Sequence, residues 1–328
     1  MILESIRLSK TALALALLLG IVAGTQSRSE AKGLLIGFSQ VTLQSPFYVQ
    51  LRDGTEAAAK AHGDKLIFLD ANGDVTKQNN DIQDLITRKV DVLIINPVNA
   101  DAVAPSLAAA KAAHIPVITV DRSVKIPVAA YVGRDNKQMG RIVGHAVVAM
   151  LRKEGKKNAK IIEIQGDAGG AVMMDRRDGF NGAVAGSGAK IVSGPYSDYI
   201  RANAVTAMQD LLQANPDVSV VFAHNDDMAL GALQVLREAG RKDVMVAGID
   251  GLSEALNTMA SGGNFVATAL NDPVYLGDVT IQVAERVKAG EKVPSFVNAG
   301  TELVTKANVT SINRSAAFGQ YRPHVFEN

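Results

Sequence analysis

The chain has no cysteine among its 328 residues, which excludes a disulfide framework, a thiolate metal site and a lipidated cysteine near the N-terminus. Net charge is almost absent as well, with 34 basic residues against 33 acidic ones. Residues 1–31 hold Arg7, Lys10 and Arg28 against Glu4 and Glu30, so the remainder is balanced. Without a basic run there is no electrostatic footprint for nucleic acid. No GxSxG elbow or HExxH pairing occurs, and the histidines do not cluster, so neither a prepared nucleophile nor a metal centre is expected, and no cofactor motif is complete. The apolar run at 11–22 is too short for an ordinary membrane span, and no later segment is long enough. Aromatic residues make up only 5% of the chain, so neighbouring rings at one position stand out.

What is present is 47% hydrophobic content in a chain long enough for two domains. Residues 1–31 read as a secretory signal: Arg7 and Lys10 precede the apolar run, and small residues follow. Ser29-Glu30-Ala31 favours cleavage after Ala31, with Gly24 as the alternative, and the mature protein is expected to be soluble and exported to the periplasm. From residue 34 onward, short apolar runs alternate with amphipathic segments. Strands are expected at 36–41, 66–71, 92–96 and 117–121, with helices at 47–62, 75–89 and 101–113. Asp74 and Asp101 are placed to cap the second and third helices, and Gly63 lies just past the first. The pattern restarts with helix 137–153, strand 160–165, helix 172–185, strand 190–192, helix 202–212, strand 219–223, helix 228–239 and strands 244–250 and 265–270. Helix 273–288 and short strands at 296–297 and 302–305 complete it. This alternation implies an α/β fold of two similar doubly wound parallel-sheet lobes. The first lobe takes residues 32–135 completed by 272–300, and the second takes 136–271 completed by 301–310. The chain then crosses between lobes near Asp135, Asn271 and Gly300, a three-segment hinge. The tail, 311–328, has no clear periodicity and is expected to lie on the surface or to be disordered.

Two strands end in acid. Val117-Ile-Thr-Val120 delivers Asp121 and Arg122, and the run 244–250 delivers Asp250. In open parallel sheets the C-terminal edge faces the ligand crevice, so two lobes each aiming a carboxylate there suggest one polar ligand gripped between them. The alternative is that Asp121 and Arg122 simply pair with each other or cap a turn. Asn225-Asp226-Asp227 opens a helix; one of the three must cap it, and Asn225 offers a donor and an acceptor for a hydroxyl. Phe47 and Tyr48 sit at a strand tip beside the carboxylates, where rings suit the C–H face of a sugar, although a hydrophobic staple would also account for Phe47. The loop 166–170 superficially resembles a phosphate loop but lacks the Lys-Ser/Thr ending, and close helix-to-sheet packing explains it better. Asp70 to Asp74 resembles the opening of a calcium loop but runs straight into a helix, so a turn and cap are expected there. Asp121 and Asp250 as the acid and base of a glycosidase is the enzymatic alternative.

IPVITVDR, INPVNADAV, VFAHNDDMALGAL, VAGIDG and SPFY, in this order, resemble the periplasmic sugar-binding proteins of ABC importers, and most closely the ribose-binding group. The resemblance runs from about residue 32 to 306. It implies stacking aromatics at Phe47, Tyr48 and Tyr199 and hydrogen-bonding positions at Asn96, Asp121, Arg122, Arg176, Asn225, Asp250 and Asn271. Ser45 stands where the group has an asparagine, Ile249 where it has an aromatic, and Asn271 where it has a glutamine, so a pentose, a hexose or a linear polyol all remain open. The partners it implies are that ligand and an inner-membrane permease, with a chemoreceptor as a further candidate, and the protein would act as a monomer without catalysis. Regulators of the same fold carry an N-terminal helix-turn-helix, for which the stretch between the signal and the first strand leaves no room.

Overall fold

The computed structural model describes residues 33–326; the expected signal at 1–31 lies outside them. Elements follow in the order β1 (Leu35–Gln40), α1 (Pro46–His62), β2 (Lys65–Asp70), α2 (Val75–Thr87), β3 (Val92–Ile95), α3 (Ala104–Ala112), β4 (Val117–Val120) and β5 (Ala130–Gly133). The chain then passes into α4 (Asn136–Lys153), β6 (Lys160–Gln165), α5 (Ala171–Val184), β7 (Lys190–Tyr196), α6 (Arg201–Ala214), β8 (Val218–Ala223), α7 (Asp226–Glu238), β9 (Met245–Ala247), α8 (Ser253–Ala260) and β10 (Phe265–Ala269). It returns through α9 (Pro273–Lys288) and β11 (Phe296–Asn298) and ends its regular structure with β12 (Leu303–Thr305) and a 3-10 turn, Val309–Ser311.

The strands form two sheets, ordered β11-β5-β4-β3-β1-β2 and β12-β10-β9-β8-β6-β7. The first is parallel throughout, and in the second only β12 runs antiparallel, against β10. Central strands such as β3 and β4 are buried along their whole length, as a sheet covered by helices on both faces requires. The chain crosses between sheets after β5, after β10 and between β11 and β12.

Register fixes what reaches the crevice. Ser39 pairs with Ile95 and Ile95 with Thr119, so β1, β3 and β4 end level and Asn96 and Asp121 emerge close together at one edge. Asp74 caps α2 by accepting from the Lys77 N–H at 2.7 Å, and Gly63 ends α1 at φ 81°, where a side chain would be strained. Helices α4 and α5 cross so closely that a Cβ on Gly140 would stand 2.1 Å from the Arg176 carbonyl oxygen. That approach sets Arg176 against the α4 N-terminus, where its Nε donates to Asn136 Oδ1 at 2.9 Å.

Several expectations are corrected. Asp101 does not cap α3. Pro105 fits the first helical turn, the helix begins at Ala104, Asn99 Oδ1 accepts from the Asp101 and Ala102 N–H groups, and Asp101 pairs with Lys125 instead. Strand β7 continues through Gly194 and Pro195 to Tyr196 because it lies at a sheet edge, where a missing N–H is tolerated. Helix α8 was not expected, and the strand assigned to 244–250 stops at Ala247. Of the two expectations for the tail, its described residues follow the first and lie mostly exposed or half-buried along the surface, with Phe318 buried and bridged to Leu252.

Candidate functional site

The C-terminal edges of the two sheets meet around a narrow cavity of about 20 Å³, open at its margin. Its wall takes Ser45, Phe47, Tyr48 and Asp121 from the first lobe, Arg176, Tyr199, Asn225 and Asp250 from the second, and Asn271 from a crossing segment, with Val172 as the one member not expected from sequence. Two expected residues lie just behind the wall. Asn96 donates to Asp121 Oδ2 at 3.4 Å. Arg122 donates to the Tyr48 hydroxyl at 2.8 Å and reaches across to Asp167 of the second lobe at 3.2 Å. Arg122 therefore pairs with Asp167, not with its neighbour Asp121. Ile249 is fully buried in the second lobe's core and is not on the wall.

The backbone is strained where the chain delivers these groups. Asp121 has φ 62° and the Arg122 N–H donates to the Val120 carbonyl at 2.6 Å, a tight γ-type turn at the tip of β4; Tyr199 and Asp250 also have positive φ, 60° and 122°. Such conformations cost about 1–3 kcal/mol each and persist where the surroundings enforce them. Gly166 has a steric reason to lack a side chain, since a Cβ there would lie 2.2 Å from the Tyr199 ring. The 166–170 loop thus admits Tyr199 and aims Asp167 at Arg122.

Polar groups at the cavity are networked. Arg176 donates to the His224 carbonyl at 2.6 Å and to Asp250 Oδ1 at 3.3 Å, and Asn271 Nδ2 donates to the same Asp250 oxygen at 2.9 Å. Asn225 itself caps α7, accepting from Met228 N–H at 2.9 Å, while its amide donates to the Tyr199 carbonyl at 3.2 Å. The two acids beside it also have structural partners. Asp226 accepts from Leu252 N–H and the Thr268 hydroxyl, and Asp227 pairs with Arg201. Burial raises the carboxyls of Asp121 and Asp250, the latter to about 6, while Arg122 and Arg176 respectively act to lower them. Burial likewise lifts the Tyr48 and Tyr199 hydroxyls further above their ordinary value. The Tyr199 hydroxyl and Asn96 Oδ1 are buried without a protein hydrogen-bond partner, a condition folded proteins rarely leave unmet. Arg122 lies 5.8 Å from the Tyr48 ring centre and 5.9 Å from that of Tyr199, within cation–π range.

Sequence reasoning missed Arg134. Its guanidinium donates to Asn271 Oδ1 at 2.5 Å, to the Gly300 carbonyl at 2.8 Å and to the Asp272 carbonyl at 2.9 Å, so one buried side chain on the first crossing ties down the other two. The only sequence signal was an arginine beside an expected crossing point. No group of histidine and carboxylate side chains suited to a metal ion occurs among the described residues.

Residues 36–292 match the periplasmic binding protein domain family. The ribose import binding protein of Escherichia coli is 38% identical over 266 residues, covering 81% of this chain and 88% of that protein. A xylitol-binding protein of Mycolicibacterium smegmatis is 32% identical over 268 residues, covering 81% and 75% respectively. Among solved structures, an ABC transporter solute binding protein from Mycobacterium smegmatis with bound glycerol superposes with a TM-score of 0.85 at 59% identity, covering 88% of this chain and all of that one. An arabinose-binding component from Shewanella superposes with a TM-score of 0.78 at 31% identity, covering 84% of this chain and 93% of that one. With two parallel-sheet lobes, three crossings and a polar cavity between the sheet edges, the chain belongs to the periplasmic binding protein family, within its ribose-binding-like, sugar-binding branch of ABC importer components.

Proposed function

We propose that this protein is exported to the periplasm by a signal cleaved near Ala31, captures a monosaccharide or a linear polyol between its lobes, and hands it unchanged to an inner-membrane ABC permease. The observation that carries this reading is the wall of the cavity: carboxylates and tyrosine rings from both lobes, the Arg176 guanidinium and the amides of Asn225 and Asn271 surround one small space, and the buried Tyr199 hydroxyl there lacks a protein partner. A polyhydroxyl compound supplies both donors and acceptors. Asp121 and Asp250 would accept from hydroxyls, Arg176 and the asparagine amides would donate, and Phe47, Tyr48 and Tyr199 would cover C–H faces.

Because neither lobe holds the whole set, only the closed arrangement satisfies every hydroxyl. Ligand then shifts the open–closed equilibrium by its differential affinity for the two forms, and closure assembles the surface a permease can read. The ligand-contacting residues so proposed are Ser45, Phe47, Tyr48, Asn96, Asp121, Arg122, Arg176, Tyr199, Asn225, Asp250 and Asn271. Small-angle scattering with and without a stabilising sugar tests this. A smaller radius of gyration at saturation, with the sugar recovered chemically intact, is the expected result; an unchanged radius or an altered sugar would defeat it.

A further inference from the structure

Beyond the 3-10 turn the described chain forms neither helix nor strand, yet it is held at both ends by different lobes. On the second lobe, the Ser253 N–H and hydroxyl donate to the Ala317 and Ala316 carbonyls at 2.9 and 2.5 Å, and the Gly319 N–H donates to the Gly251 carbonyl at 2.7 Å. On the first lobe, the Tyr275 hydroxyl of α9 donates to the Pro323 carbonyl, and Arg286 of the same helix lies 4.4 Å from the Phe326 ring centre. Between these anchors the segment runs over the crossings. Arg322 Nε lies 3.4 Å from Asp272 Oδ2, and a Cβ on Gly300 would stand 3.0 Å from the Pro323 side chain and 3.1 Å from that of Tyr321.

Phe318 connects this segment to the cavity. Its backbone bridges Leu252 of the second lobe, its side chain is buried at 4% exposure, and its ring meets Phe47 edge to face with centres 6.1 Å apart. Phe47 belongs to α1 of the first lobe and lines the cavity. One aromatic pair therefore has its two backbones on opposite lobes. On the hinge reading, opening would carry Phe47 away with α1 while the hydrogen bonds around Gly251 and Ser253 hold Phe318 back, so the contact would belong to the closed form alone.

We infer that residues 316–326 are a strap that favours lobe closure and that Phe318 is a positioning residue for the ligand-facing ring of Phe47. The inference rests on the hinge reading above but on no particular ligand. Losing a buried ring that packs edge to face shifts the closed-to-open ratio by about tenfold or more toward open, and apparent affinity falls by the same factor as the competent fraction shrinks.

The test is made without ligand, so a failure to find any binding sugar leaves it intact. Small-angle scattering compares the exported wild-type protein with Phe318→Ala, Phe318→Leu and a chain ending at Ser315, each checked by far-ultraviolet circular dichroism. The expected result is an unchanged dichroism spectrum with a larger radius of gyration for Phe318→Ala and the shortened chain, and partial return toward wild type in Phe318→Leu. Equal radii across the set would overturn the proposal. So would loss of the native spectrum in Phe318→Ala, which would make the segment part of the core instead of a strap.

Discussion

Replacing Arg134 by methionine should cost this protein a large part of its stability, although Arg134 lies on a connecting segment. Methionine matches much of the side chain's length and packs without charge, so the change isolates the loss of the guanidinium. Three acceptors on the other two crossings, Asn271 Oδ1, Asp272 O and Gly300 O, lose their donor at once. Each buried acceptor left unpaired costs about 1–3 kcal/mol, and water entering at the hinge recovers part of it, so the net cost is about 3–5 kcal/mol, in the range for breaking a buried charged network. Against a typical total of about 5–15 kcal/mol this should lower the melting temperature by roughly 6–20 °C, taking about 2–4 °C per kcal/mol for a domain of this scale. Burial already lowers the Arg134 pKa to about 10, with Asp272, Asp121 and Asp250 acting to hold the charge, so removing the cation also leaves Asp121 and Asp250 less compensated. Thermal unfolding followed by circular dichroism measures the effect. A melting temperature within 2 °C of wild type would show that the crossings are held by something other than Arg134.

Asp121→Ala and Arg176→Ala should each weaken binding of an identified sugar by about tenfold to hundredfold while the fold persists, since a hydrogen bond to a charged group contributes about 1.5–3 kcal/mol; wild-type affinity by calorimetry would remove that residue from the site. Burial, followed by the charge of Asp250, raises the Asp226 carboxyl to about 8. The folded form therefore keeps a proton that the unfolded chain releases near pH 4, and this group's contribution to stability is lost as pH rises from about 4 through 8. Asp226→Asn, whose amide can still serve Leu252 and Thr268, should flatten the fall of melting temperature between pH 5 and 8, and an identical slope in the variant would refute the assignment. Gly166→Ala should displace the Tyr199 ring and reduce sugar affinity more than it reduces melting temperature; a loss confined to stability would count against that steric role.

Most strands could be read because their apolar runs are short and bounded by turn residues, although β5, Ala130–Gly133, was not among those expected, and the acid at the tip of β4 could be read from its position alone. Helix α8 could not: it spans eight residues, and its N-terminal flank, Leu252, provides no side-chain cap. Asp101 misled for the opposite reason, a good capping residue sitting ahead of a proline that starts the helix elsewhere. At the site, residues delivered by strand tips were recognisable, because parallel topology sends them to one edge. Asp167, Arg134 and Phe318 were not, since their partners are 45, 137 and 271 positions away in sequence and nothing local marks the contact. The positive φ of Asp121, Tyr199 and Asp250 was likewise hidden, because Asp tolerates such backbone without requiring it and the surrounding fold imposes it.

The central claim is capture of a small polyhydroxyl compound between the lobes, and calorimetric titration of the exported protein against a panel of pentoses, hexoses and linear polyols tests it most directly. The account predicts saturable binding of at least one compound at one per chain, weakened about tenfold to hundredfold in Asp121→Ala. Absence of binding across the panel, or binding that survives that substitution unchanged, would contradict it.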